Sequence, residues 1–232
     1  MGRLQPIDAV PGPAFVDALR RAWDDGDAVV PVDPRLPGPA RDSMLAALGA
    51  GDAVDDGDAL VLATSGTTGA PKGVVLTHDA VRASALATSA RLAVDPEVDT
   101  WSSALPLAHV GGLSVVLRAL VTGTPLTFGP DEPATLVSLV ATQLGRMDTT
   151  RFRVVVLGGA APPEVRPANC VTTYGMTETG SGIVYDGVPL DGVDVRAVDG
   201  ELHVRGPMLL RAYRSGEDPK DCLLYTSDAA DE

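Results

Sequence analysis

The chain has little of what defines several protein classes. Its 232 residues include two cysteines, Cys170 and Cys222, too few for a disulfide framework or a cysteine zinc site, so a reducing cytoplasm is the expected setting. No apolar run approaches the roughly 20 residues that cross a bilayer, and the N-terminus carries no basic-then-apolar pattern. Neither a membrane span nor an export signal is therefore expected. Positive charge is scarce: 18 Lys and Arg against 31 Asp and Glu leave a formal net charge of −13, which argues against nucleic acid or an anionic membrane as partner. No internal repeat is found. What is present is a 45% hydrophobic chain, long enough to bury a sizeable core as one large or two small domains.

Chemistry concentrates between two apolar runs, Leu60 to Ala63 and Val74 to Leu76, in the stretch Thr64-Ser65-Gly66-Thr67-Thr68-Gly69-Ala70-Pro71-Lys72-Gly73. Gly66, Gly69 and Gly73 allow tight turns that aim backbone N–H groups at an anion, Ser65, Thr67 and Thr68 add donors, and Lys72 adds charge. This reads as a phosphate loop, but not a Walker loop, because Pro71 precedes the lysine and Gly73 follows it where a Ser or Thr would hold magnesium. A flexible Gly/Thr linker is the plain alternative. The strand-like flanks and the single lysine speak against it.

Periodicity places helices over 14–23, 41–48, from the cap Thr77 to about Leu92, and along Leu113, Val116, Leu117, Leu120 and Val121. A further helix is expected over 132–144, with Leu136, Leu139, Val140 and Leu144 inward. Strands are expected at 28–30, 101–105, 124–128, 152–157 and 170–173, and the four prolines of 31–39 predict an extended connection. Strands alternating with helices favour an α/β fold with a mainly parallel sheet covered on both faces. From Val193 to Arg205 the pattern becomes a hairpin turning at Asp199-Gly200, which begins a smaller antiparallel subdomain. The expected division is 1–187 as the α/β region, 188–221 as an incomplete β subdomain, and 222–232 as a foreign tail.

Gly158, Gly159 and Ala160 close the 152–157 strand with small residues that admit a ligand to its carboxyl end. In Tyr174-Gly175-Met176-Thr177-Glu178, the ring offers a stacking surface, the threonine a hydroxyl, and the glutamate a hard ligand for magnesium. Alone, that segment also reads as an ordinary strand-to-turn junction. His109, in Pro106-Leu107-Ala108-His109-Val110-Gly111-Gly112, alone reads as structural.

These motifs in this order resemble the adenylate-forming enzymes: acyl-CoA synthetases, peptide-synthetase adenylation domains and luciferases. The likeness runs from Phe15 to Asp221 and includes Asp33-Pro34-Arg35-Leu36-Pro37 and Gly200-Glu201-Leu202-His203-Val204-Arg205-Gly206-Pro207, which continues to Tyr213-Arg214 and whose implied role is mostly structural. The segments 172–179 and 184–192 look like the actinobacterial o-succinylbenzoate-CoA ligases of menaquinone biosynthesis. The resemblance implies an ATP site formed by Thr64, Ser65, Gly66, Thr67, Thr68, Gly69, Lys72, Gly159, Ala160, Tyr174, Gly175 and Thr177, with Tyr174 on adenine, Thr177 on phosphate, and Glu178 on Mg2+. It implies an acyl site at His109, Arg118, Gly158, Gly175 and Met176, and catalytic roles for His109, Lys72 and Glu178. ATP and coenzyme A are the implied co-substrates and a small carboxylic acid the third partner, with a homodimer left open. Arg118 lies off the apolar stripe of its helix, so a solvated surface arginine is an equal reading.

Two rivals stay open: another acyl- or aryl-acid-activating enzyme of the superfamily, and a nucleotide-binding module without catalysis. The family's Thr-Gly-Asp element and lysine-bearing C-terminal domain are not found in this sequence. The expectation is a truncated chain whose last eleven residues, Cys222 to Glu232, resemble a translated sequencing-library adapter. A C-terminal strand over 223–226 is the alternative.

Overall fold

The computed structural model describes residues 1–64, 72–129, 132–199 and 201–216, and the backbone of 223–226. The first layer is built by β1 (Leu4–Asp8), α1 (Pro13–Asp24), β2 (Ala28–Val32), α2 (Gly38–Leu48), β3 (Asp58–Thr64) and β4 (Lys72–Thr77). Every residue of β2 is buried, Pro31 included, so the strand runs further into the proline-rich segment than expected. Helix α2 also starts earlier, because Pro39 sits in its first turn, where a missing N–H costs nothing.

β1, β2 and β3 pair in parallel, whereas β4 returns antiparallel to β3, with Thr64 opposite Lys72. The phosphate-loop segment therefore joins two strands of a hairpin, and α3 (His78–Arg91) follows the second one. Thr77 caps α3 by accepting the N–H of Ala80, worth about 1 kcal/mol.

The second layer comprises β5 (Trp101–Ser102), α4 (Val110–Thr122), β6 (Leu126–Thr127), β7 (Leu136–Val140), α5 (Ala141–Leu144), β8 (Val154–Gly158), β9 (Cys170–Met176), β10 (Ser181–Tyr185) and β11 (Val188–Pro189). Its order is β11-β10-β9-β8-β7-β5-β6; four of the six pairings are parallel, and only β10 and β11 run against their neighbours. The expected helix over 132–144 is corrected here: 136–140 is a strand between β5 and β8, and only 141–144 is helical. Leu-Val-Ser-Leu-Val is compatible with either element, and the need to fill a sheet interior, with Leu136 to Leu139 all buried, selects the strand.

One core cluster runs from Leu60, Leu62 and Leu76 of the first sheet through Leu113 and Leu117 of α4 to Ile183 of the second. Helix α4 lies between the layers, so Leu113 through Ala119 are all buried and the expected one-sided stripe is corrected to burial nearly all round.

β12 (Asp194–Val198) and β13 (Glu201–Arg205) form the expected hairpin, to which β15 (Leu223–Thr226) adds antiparallel. Val188–Pro189 belongs to the larger sheet, so the antiparallel unit starts at Asp194 rather than at 188. Of the tail, only the backbone of 223–226 lies within the description, where it is extended against β13; an exposed sheet edge accepts any short extended segment, so the strand does not decide between the two readings of the tail. Between these strands the chain returns: β14 (Ala212–Tyr213) pairs antiparallel with β4 and becomes the fifth strand of the first sheet. Arg211 secures it with two 2.8 Å hydrogen bonds to the fully buried carboxylate of Asp58. No helix among the described residues is long and apolar enough to cross a membrane.

Candidate active site

A cavity of about 160 Å3 opens at the carboxyl ends of β7, β8 and β9, under the first turns of α4. Its walls are mainly apolar or glycine, and among the described residues its one formal charge is Arg118. That side chain is 3% exposed. Nη2 donates to Ser181 Oγ at 2.7 Å and Ser114 Oγ at 2.9 Å, Nη1 reaches Ser138 Oγ at 3.5 Å, and the guanidinium lies 5.2 Å from the Trp101 ring centroid. Burial pulls its pKa below the usual guanidinium value, with Tyr185 opposing. Nε has no hydrogen-bond partner, and no ion pair neutralises the charge among the described residues.

The alternative of a solvated Arg118 is thus overturned: α4 is covered on both sides, so the residue off the apolar stripe is buried too. A guanidinium held by hydroxyls and a ring, at the wall of an apolar cavity, has donor capacity and charge that suit an anion. Ser114 precedes it by one helical turn, a spacing visible in the sequence. Ser138 and Ser181 come from β7 and β10, and sequence reasoning missed both.

The cavity also collects Gly158, Gly159, Gly175 and Met176 from the expected set. Gly175 is required by a close approach: a Cβ there would lie 2.2 Å from the Ser181 carbonyl oxygen across the β9–β10 pair. Ala160 is exposed just beyond β8. His109 has an exposed side chain that lies outside the cavity lining among the described residues. It occupies the N-cap of α4, where its carbonyl accepts the N–H groups of Gly112 and Leu113, and the next residues, Val110 and Gly111, form the wall. Asp33 has its pKa lowered to about 2, chiefly by hydrogen bonds from Arg35.

Beyond Met176 the chain makes a one-turn 3-10 helix, Thr177–Thr179. Buried Thr179 locks it: its Oγ donates within reach of the Met176 and Ser181 carbonyls and accepts the Met176 N–H at 3.0 Å. Glu178, half-buried, accepts a 3.0 Å hydrogen bond from Tyr213 Oη on Oε1. Lys72 Nζ lies 5.2 Å from the centroid of the same Tyr213 ring. The Thr64 hydroxyl faces the Lys72 carbonyl at 3.4 Å across the hairpin. Tyr174 is half-buried on β9, packed against the shared core. Ser65, Gly66, Thr67, Thr68 and Gly69 lie outside the described residues. Thr64, Lys72, Thr177 and Glu178 are thus placed on neighbouring elements, and Tyr213, which sequence reasoning gave only a structural role, joins them.

As for a metal, no cluster of three or more His, Cys, Asp or Glu occurs among the described residues. A single hard carboxylate, Glu178, suits magnesium, which takes one or two carboxylates and completes its shell with water and substrate phosphate.

A family model described as AMP-binding enzyme matches residues 48–143. Over that span the chain is similar to the AMP-binding enzymes. Within them it is similar to proteins that act on one acid: it is 35% identical to a probable 2-succinylbenzoate–CoA ligase of Mycobacterium tuberculosis over 88% of this chain and 60% of that protein. Among solved structures it matches an arginine-to-lysine variant of Escherichia coli MenE with bound OSB-AMS, at 27% identity and TM-score 0.79, over 96% of this chain and 63% of that one. Bacillus subtilis o-succinylbenzoate coenzyme A synthetase in complex with ATP and magnesium ion shares the fold, at TM-score 0.78 and 23% identity, over 91% and 62%. The chain spans about 60% of the length of the Mycobacterium relative.

Proposed function

We propose that this chain carries the acid-activating site of an AMP-forming acid–thiol ligase acting on 2-succinylbenzoate. The carboxylate attacks the α-phosphorus of ATP, giving acyl-adenylate and pyrophosphate. The thiol of coenzyme A then adds to the acyl carbon and expels AMP, losing its proton. A cytoplasmic setting belongs to the same proposal.

Arg118 carries the reading: it is a buried, un-neutralised guanidinium in an apolar cavity of a size suited to a small ring. A substrate with two carboxylates needs one bound while the other reacts, and the arginine fork suits the bound one. On this reading Gly158, Gly175 and Met176 shape the ring pocket, and His109 closes the outer end of the α4 loop.

The nucleotide lies on the other side of Gly175. Tyr174 stacks on adenine, Gly159 and Ala160 pass beside it, and Thr177 bonds to the α-phosphate. Thr64, Ser65, Gly66, Thr67, Thr68, Gly69 and Lys72 hold the departing β- and γ-phosphates, where preorganised donors offset developing charge. Glu178 would hold magnesium, which would supply positive charge against the phosphates.

A binding comparison tests the acid. 2-Succinylbenzoate should raise the melting temperature of the chain, whereas 4-oxo-4-phenylbutanoate, which lacks the ring carboxylate, should not. Equal shifts with both acids would refute the dicarboxylate reading and favour another acid of the superfamily.

A further inference from the structure

The proposed site draws its two phosphate-side charges from different sheets, Lys72 from β4 and Glu178 from the turn after β9, and one side chain touches both. Tyr213 donates from its hydroxyl to Glu178 Oε1 at 3.0 Å, and its ring centroid lies 5.2 Å from Lys72 Nζ.

The chain delivers this residue through backbone ties on both sides. Leu210 N–H donates to the Glu178 carbonyl at 2.7 Å, Arg211 N–H to the Val75 carbonyl at 2.9 Å, and Arg214 N–H to the Gly73 carbonyl at 2.7 Å. The Arg211 fork on Asp58 anchors the same segment from the side, and Arg214 Nε donates to the Leu48 carbonyl at 3.1 Å. A strap of five residues is thus bonded at one end to the Glu178 turn and at the other to the strand that begins with Lys72.

We propose that Tyr213 is a positioning residue for metal-bound nucleotide, holding the Glu178 carboxylate by its hydroxyl and the Lys72 ammonium by its ring face. The inference rests on the nucleotide reading above. A hydrogen bond to a carboxylate is charge-assisted and directional, so it removes rotamer freedom from the glutamate before a metal arrives. A ring face attracts a cation without neutralising it, so the contact orients the Lys72 ammonium.

The two contacts separate by substitution. Tyr213→Phe keeps the ring and deletes the hydroxyl; Tyr213→Leu deletes both. ATP is titrated calorimetrically into the 232-residue chain with and without magnesium. For Tyr213→Phe, the magnesium concentration that half-saturates the enhancement of ATP binding should rise about 5-fold, with metal-free ATP affinity held within about 2-fold. For Tyr213→Leu, metal-free affinity should fall as well, by about 3-fold. A purely structural tyrosine would lower the melting temperature and leave the magnesium dependence of Tyr213→Phe equal to that of the unsubstituted chain; that result overturns the proposal, whether or not Tyr213→Leu folds. Failure of the unsubstituted chain to bind ATP at all would instead refute the nucleotide reading, and this inference with it.

Discussion

The proposed acid pocket and the proposed phosphate side are built on opposite plans. The pocket's walls come from one sheet and the helix over it, all between Leu105 and Gly182, and its charge is fixed inside the core by three serines. The phosphate side takes Lys72 from the first sheet, Glu178 from the second, and Tyr213 from a strand that returns about 35 residues later, all half-buried. The pocket is preorganised by packing, so its selectivity should survive changes elsewhere. The phosphate side depends on a cross-sheet strap, and its charges are set by alignment.

The strongest test of that contrast is Arg118→Met in the protein that carries this chain. We expect kcat/KM for 2-succinylbenzoate to fall about 10²- to 10³-fold, the range for losing one partner of a buried charge contact. Thermal stability should hold or rise, because an apolar side chain of similar length replaces an un-neutralised buried charge. A stability loss with unchanged kcat/KM would make the arginine structural. Lys72→Ala comes next: adenylate formation, read by pyrophosphate exchange, should slow by on the order of 10²-fold with the acid's affinity preserved. If both parameters fall together, the two halves are not independent.

Gly182→Ala probes the packing of the pocket. A Cβ there would sit 1.9 Å from Thr173 Oγ1 and 3.1 Å from Tyr185 Oη, so the β9–β10 pair must shift, and urea denaturation should show a loss of about 1–3 kcal/mol. Undiminished stability would mean the pocket wall is soft.

The smallest effect is expected from a clamp outside both halves. Burial of Asp99 opposes ionisation, but hydrogen bonds from Arg153, the Asp95 N–H and Thr135 outweigh it and hold the carboxyl below the ordinary carboxylate value. A depressed folded value means the contribution is fully present above about pH 4 and is lost as pH falls through the folded value. Arg153→Met should flatten the acid limb of the stability–pH curve by lowering the neutral plateau, and only slightly, since the Arg153 side chain is 42% exposed and its pair is screened, while stability below the folded value stays the same. An unaltered acid limb would assign it to other carboxylates.

Much of this was legible in the sequence because it depends on local chemistry. Thr77 caps α3 whatever packs on it, Asp199 turns the β12–β13 hairpin, and the apolar runs of β3 and β8 are buried as their composition requires. The ordered motifs pointed to the superfamily, and with it the neighbourhood of Lys72, Gly158, Gly175, Met176 and Glu178. Sequence alone could not choose strand over helix for Leu136–Val140, since a short apolar run satisfies both periodicities and only burial on two faces decides. Nor could it bury Arg118, because a helix read in isolation has an outside, whereas α4 has sheets on both sides. Tyr213 lies 35 residues from Glu178 and 141 from Lys72, and no spacing rule joins positions so far apart. Their meeting was decided by the return of β14 to β4, where backbone pairing and the Arg211–Asp58 bond set the register that brings one ring to both charges.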